Sequence, residues 1–205
     1  MGQSTFNVAF LANNRVDPFL FDARLTEIGE GQASALADNA EIHLQNIQVV
    51  ITTPMTRALD TTRRGLSKLI KNKGINCVVC PLHRETLTTS DDNGRPISIV
   101  KTEFPEFDFS TIEERWWYLP EEIKSDFTID HEEYFKKSPF KEPEEVIAKR
   151  VQDFKEYLLS RPESHIAVVG HCDFFYHLLD KKHPHMKNCQ IIKFMIETGE
   201  VTYLT

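Results

Sequence analysis

Three apolar runs in this chain, Phe6 to Leu11, Ile47 to Ile51 and Ile166 to Val169, each lead into residues that can bind an anion or move a proton. The first is followed by Ala12-Asn13-Asn14-Arg15, the second by Thr52-Thr53-Pro54-Met55-Thr56-Arg57, and the third by Gly170-His171-Cys172-Asp173. A further strand-like run, Cys77 to Cys80, leads to Leu82-His83-Arg84-Glu85-Thr86-Leu87. Guanidinium and imidazole groups hold phosphate or carboxylate oxygens through charge-assisted hydrogen bonds. A carboxyl group within reach of the same ligand can deliver or accept a proton. Among the residues at these ends, Arg15, Arg57, Arg84, His171 and Glu85 have side chains of these types, and Asn13 offers a neutral amide.

Other reactive side chains read as structural. Cys77 and Cys80 form a CxxC within a strand-like run, where their side chains point to opposite faces and cannot share a metal. His177, His183, His185 and Cys189 lie in a Lys-rich, Pro-broken stretch without a ligand spacing, which reads as a solvated loop. Trp116-Trp117-Tyr118 reads as packing or as a wall above a pocket. No metal and no cofactor is expected.

The elements that must position the candidates follow from periodicity. Ile47 to Ile51, Ile75 to Val79 and Ile166 to Val169 are short, continuous apolar runs, as expected of parallel strands covered on both faces. Thr26 to Leu44 reads as a helix capped by Thr26. Thr53-Pro54 reads as the start of a helix carrying Met55, Ala58, Leu59, Leu66 and Leu69 on its apolar stripe. Glu144 to Leu159 is amphipathic, with Val146, Ile147, Val151, Phe154, Tyr157 and Leu158 inward. Asp173 is expected to cap a helix over Phe174 to Leu179. Ile191 to Ile196 and Val201 to Leu204 read as a hairpin around Thr198-Gly199. Residues 87–138, rich in turns and acidic groups, read as a long insertion covering the pocket. Strands alternating with helices predict an α/β fold: three layers, α/β/α, with a mostly parallel sheet, in one domain over residues 1–205. In such sheets ligands bind beyond the carboxyl ends of the strands, where the candidates lie.

Several motifs in order resemble the histidine phosphatase, or phosphoglycerate mutase-like, superfamily over nearly the whole chain. Asp22-Ala23-Arg24-Leu25-Thr26-Glu27-Ile28-Gly29 resembles its D-x-x-L-T-x-x-G segment. Thr53-Pro54-Met55-Thr56-Arg57-Ala58-Leu59-Asp60-Thr61 resembles S-P-x-x-R-A-x-Q-T, and Val168-Val169-Gly170-His171-Cys172-Asp173-Phe174 resembles V-V-S-H-G-G-F. Arg84-Glu85 resembles the stretch that carries the proton donor. Phe104-Pro105-Glu106-Phe107-Asp108-Phe109 and Pro143-Glu144-Glu145-Val146 look most like the eukaryotic branch of plants and fungi. The resemblance implies phosphoryl binding by Arg57 and His171 and proton donation by Glu85. With the opening R-H-G-E motif set on Ala12-Asn13-Asn14-Arg15, it also implies that the nucleophilic histidine is replaced by Asn13 and one clamp arginine by Ala12, leaving Arg15 as a substitute clamp.

The function expected from this pattern is a repurposed enzyme or binder acting on a small phosphorylated or carboxylated ligand without a covalent intermediate. The alternatives are a non-catalytic pseudo-phosphatase serving as an interaction module, and residual phosphatase activity with His171 or a water attacking. Composition excludes other classes. The 205 residues carry 24 basic and 31 acidic side chains, a net charge of -7, with no basic stripe for nucleic acid. No apolar run has the length of a membrane span. Phe6 stands where a myristoylation motif requires Ser or Thr. Four scattered cysteines and no export signal are consistent with a cytoplasmic protein. The expected partner is a small anion, with neither nucleic acid nor membrane.

Overall fold

Three short β-branched strands set the frame. In a computed structural model that describes residues 1–205, β1 (Val49–Thr52), β2 (Asn76–Val79) and β3 (Ile166–Val169) form a sheet in the order β2-β1-β3. Both pairings are parallel, and Thr52 lies level with Val79 on one side and Val169 on the other. All four β1 residues are buried, as its central place requires.

Alternate residues of the strands feed two different helix layers. Val50, Ala167 and Val169 pack with Leu36 and Ala40 of α2 (Glu27–His43) and with Leu66 and Leu69 of α3 (Thr56–Lys73). Val49 and Ile51 pack with Ile147, Val151 and Phe154 of α7 (Glu144–Leu159) and with Phe174 and Leu178 of α8 (Cys172–Leu178). The result is the expected three-layer α/β/α arrangement with a parallel sheet. β4 (Ile192–Met195) and β5 (Glu200–Tyr203) form a separate antiparallel hairpin, with Gly199 in its turn at a φ of 74°.

The stretch between β2 and α7 carries α4 (Ile97–Glu103), α5 (Glu121–Lys124) and α6 (His131–Lys137). Its Ile97, Val100, Phe104, Trp116, Trp117 and Ile123 share one apolar cluster with Met55, Ala58, Leu59 and Val79. Trp116 and Trp117 are both buried, and the Trp116 indole donates to the Arg95 carbonyl at 3.0 Å. They are packing residues.

Three local expectations are corrected. Phe6 to Leu11 is not a strand but the body of α1 (Thr5–Ala12). Ser4, in extended conformation, accepts from the Asn7 amide at 3.2 Å and so starts a helix. Pairing with other backbone is limited to one antiparallel bridge, Ser4 with Leu25. α3 begins at Thr56 rather than Pro54, because the Asp22 carboxylate accepts from the Thr56 amide (2.9 Å) and hydroxyl (2.5 Å). α8 begins at Cys172, and its first turn is capped by Glu85 rather than Asp173.

Candidate functional site

The level ends of the three strands bring the candidates into one place. Thr53 follows β1, and its hydroxyl lies 2.7 Å from Nε2 of His171, which follows β3. Arg57, on the first turn of α3, is 1% exposed, and both Thr53 and His171 are fully buried. Glu85, in the segment after β2, accepts from the amides of Thr86 (2.9 Å), Asp173 (3.2 Å) and Phe174 (2.8 Å). It thereby satisfies orphan amides at the start of α8, the helix whose N-cap is His171.

Arg57 is held from the opposite side by the insertion. One terminal nitrogen donates to the Asp91 carbonyl at 2.6 Å and the other to the Asp92 carboxylate at 3.0 Å. The Asp92 carboxylate is itself anchored by the Thr88 and Thr89 amides. Two buried polar atoms of the site have no partner: Nε of Arg57 and Nδ1 of His171.

Burial dominates the protonation chemistry. It pushes the Glu85 carboxyl up to about 8, helped by the negative neighbours Asp92 and Asp173. It likewise raises Asp91 to about 7, with Asp92 adding to the shift. His171 is pushed well below the ordinary imidazole value, first by burial and then by the positive charge of Arg57. Burial also opposes the charge on Arg57, but Asp91 and Asp92 more than offset it, and its pKa lies above the usual value. At neutral pH the site thus holds a cationic Arg57, a neutral His171 and a protonated Glu85. The nearby Cys172 thiol is pushed up to about 11 by burial, so it is not a thiolate nucleophile.

The other sequence candidates are not part of this cluster. Asn13 is the exposed C-cap of α1, and its side-chain amide donates to the Val16 carbonyl. Arg15 is exposed in the following turn with a φ of 62°. With a helix in place of the expected strand, neither residue stands at a strand end, and their assignment to the anion site is corrected. Arg84 is corrected as well, because its guanidinium is spent on the buried Glu142 carboxylate at 2.8 Å. Glu142 also receives two bonds from Arg150, at 3.0 and 2.6 Å. Of the predicted set, the structure brings together Arg57, His171 and Glu85. The histidines read as a solvated loop do not gather: His183 bonds Tyr203, while His185 stacks on Tyr176 and faces Asp173. All four cysteines are free.

The fold and the sequence point to the same relatives. A phosphoglycerate mutase-like protein 1 from Arabidopsis thaliana is 27% identical over 216 residues, covering 86% of this chain and 71% of that protein. The alpha-ribazole phosphatase of Shigella flexneri matches with a TM-score of 0.57 at 17% identity, covering 98% of this chain and 90% of that one. A mycobacterial glucosyl-3-phosphoglycerate phosphatase, solved with VO3, matches with a TM-score of 0.52 at 17% identity, over 98% of this chain and 92% of that one. The chain has the fold of these phosphatases and is similar in sequence to phosphoglycerate mutase-like proteins. No protein-family model matches it.

The first apolar run does not end at the sheet, because it forms helix α1. Met1 shares a cavity with Val169, Gly170 and His171, whereas Ala12-Asn13-Asn14-Arg15 follows the body of α1. The Met1 amino group is buried within the field of Cys172, Arg57 and Glu85, and the Gly2 amide donates to the Thr61 hydroxyl at 3.2 Å. A Cβ on Gly2 would meet the Gly29 carbonyl oxygen at 2.3 Å, so only glycine fits this crossing. The replacement of a nucleophile by Asn13 therefore has no structural support. Sequence reasoning also missed Asp91 and Asp92 as partners of Arg57, and Asp22 as the group that fixes the start of α3. Asp22 was legible within D-x-x-L-T, whereas Asp91 and Asp92 read only as turn residues.

Proposed function

We propose that this protein binds a small phosphate ester at the strand ends and acts on it by acid–base chemistry. The observation that carries the reading is the pair of unpartnered buried groups, Nε of Arg57 and Nδ1 of His171, beside the buried carboxyl of Glu85, which burial raises to about 8. Arg57 supplies the fixed positive charge and His171 a neutral donor for the anion's oxygens. Glu85 delivers its proton to the oxygen that gains charge. Relatives of the same fold named as phosphatases favour a phosphate ester over a carboxylate. With Cys172 held as a thiol, water attacks phosphorus, the P–O bond to the leaving group breaks as that oxygen takes the Glu85 proton, and the water's proton passes to the phosphate released, with no covalent intermediate.

The test is calorimetry with phosphate esters and organic acids, followed by turnover. Wild type should bind a phosphate ester, and Arg57→Ala should lose roughly 1.5–3 kcal/mol, about ten- to a hundredfold in affinity. Glu85→Gln should bind as before and lose about a hundredfold or more in turnover of esters with poor leaving groups. Unchanged binding in Arg57→Ala would remove the reading.

A second reading, a non-catalytic binding module, is favoured by one feature: both terminal nitrogens of Arg57 are already engaged by Asp91 and Asp92. If that engagement competes with ligand, Asp92→Asn will bind phosphate more tightly than wild type and still show no turnover.

A further inference from the structure

Glu132, on the first turn of α6, is half-buried and lines a cavity of about 350 Å³ to which none of Arg57, Glu85 and His171 contributes. Its amide donates to Asp130, but its carboxylate accepts no hydrogen bond and joins no ion pair. Lys136, one turn further along, bonds Glu133 at 2.8 Å instead and lies over the Phe21 ring. The other charges around the cavity cancel. Arg95 donates to Asp22 at 2.9 Å and to Glu103 at 2.7 Å, and Arg24 donates to Glu103 at 2.6 Å. Two guanidiniums thus meet two carboxylates, and Glu132 is left over. Burial pushes its carboxyl above the ordinary value, and Asp130 adds to the shift. A carboxylate held there alone is costly, and a cation beside it offsets the cost. Phe19, Leu20 and Phe21 supply an apolar wall. Phe19 is 39% exposed and takes a φ of 54°, in the left-handed region. The Asp17 carboxylate holds this turn, accepting from the Phe19 amide (2.8 Å) and from the Ser90 amide (2.8 Å) and hydroxyl (2.6 Å). Backbone kept in that region by its surroundings is a mark of ligand clamps.

We propose that this cavity is a binding site for a small organic ammonium ion, with Glu132 as its counter-ion and Phe19 as its apolar face. An ammonium group carries the donors that the Glu132 carboxylate lacks. Its alkyl chain covers Phe19 and Leu20, and its charge is attracted to a phenyl face. An anion is disfavoured, because it would have to displace Glu103 from Arg24 or Arg95 and would add to a negative excess. A metal ion is disfavoured too, since it needs several ligands and no cluster of acidic, histidine or cysteine side chains gathers here.

The test is an NMR titration of the full chain with butylammonium chloride, with sodium butyrate and sodium chloride at equal ionic strength as controls. Butylammonium should shift the amides of residues 19–24 and of Glu132 saturably, with a Kd of about 1 mM, and butyrate should not. Glu132→Gln should weaken this binding by about tenfold or more. Phe19→Leu, which stays apolar but removes the ring, should weaken it by about threefold. Glu133→Gln, which loses only the pair with Lys136, should bind as wild type does. No saturable shift with butylammonium, or tighter binding of butyrate, would overturn the proposal. Undiminished binding in Glu132→Gln or Phe19→Leu, or an equal loss in Glu133→Gln, would also overturn it. The readout does not depend on any ligand at Arg57.

Discussion

Among single residues, Glu85 carries the sharpest expectation. Its carboxyl is ordinary at 4.5 when unfolded and rises to about 8 in the fold, chiefly through burial. Between those values the folded chain keeps a proton that the unfolded chain has released. The stability this confers is complete at low pH and is lost as pH rises through about 8. Asp91 acts with the same sign up to about 7. The buried histidines act in the opposite sense. His83, pushed down to about 3 by burial, and His171 favour the folded state above 6.5 and weaken it as pH falls. Between pH 6.5 and 8 the buried Met1 amino group, also lowered by burial, acts in the histidines' sense, so the Glu85 contribution is the part of the fall in Tm over this range that Glu85→Gln removes. Thermal melts of wild type and Glu85→Gln check this, and a decline that persists unchanged in the variant would show that Glu85 does not cause it.

Among elements, α7 does more than cover the sheet. Arg150 on α7 donates to the carbonyls of Leu82 (3.0 Å) and Arg84 (2.7 Å), and Glu142 just before α7 accepts from both Arg84 and Arg150. This knot fixes the segment that presents Glu85. Removing one member leaves buried charge unpaired, at a cost of about 3–5 kcal/mol. Glu142→Ala should therefore lower the urea midpoint clearly, whereas exposed Lys149→Ala, which breaks only the pair with Asp153, should move it little. A comparable midpoint in both would refute the distinction. Element boundaries were legible where a periodic face had a matching cap, as in α2 with Thr26, and in α7 from its periodic face alone, since Pro143 before it makes no side-chain cap. They were not legible at Phe6 to Leu11, because a short apolar run suits a strand or a helix, and Ser4 decided between them. Arg57 and His171 could be paired from the sequence because both follow strands that end at the same level. The Asp92 contact could not be, since Asp92 lies 35 positions after Arg57, beyond the rest of α3, β2 and a run of turns.

On the scale of the molecule, the insertion and the sheet body share their apolar interior. Trp116 and Trp117 pack in the cluster that includes Met55, Leu59 and Val79, and Asp91 and Asp92 tie the same segment to Arg57. A segment so joined cannot shed its contacts while the sheet stays folded. Tryptophan fluorescence and far-UV circular dichroism should give coincident thermal transitions. Fluorescence melting several degrees earlier would mark the insertion as a separate cooperative unit. No helix is long and apolar enough to cross a membrane.

The carboxylate of Glu85 and the imidazole of His171 are joined by a lever as well as by space. Glu85 grips the amides of Asp173 and Phe174, and His171 is the residue from which that same helical turn springs. Losing the Glu85 proton strengthens the grip on the turn, and the imidazole must register the change. Because His171 itself stays neutral well below the usual range, its ring resonances between pH 7 and 9 have no titration of their own to follow. They should nevertheless move, with a midpoint near the value of about 8 that belongs to Glu85, and stay still in Glu85→Gln. A histidine that cannot gain a proton in this range would then serve as a gauge of one that a neighbour gives away.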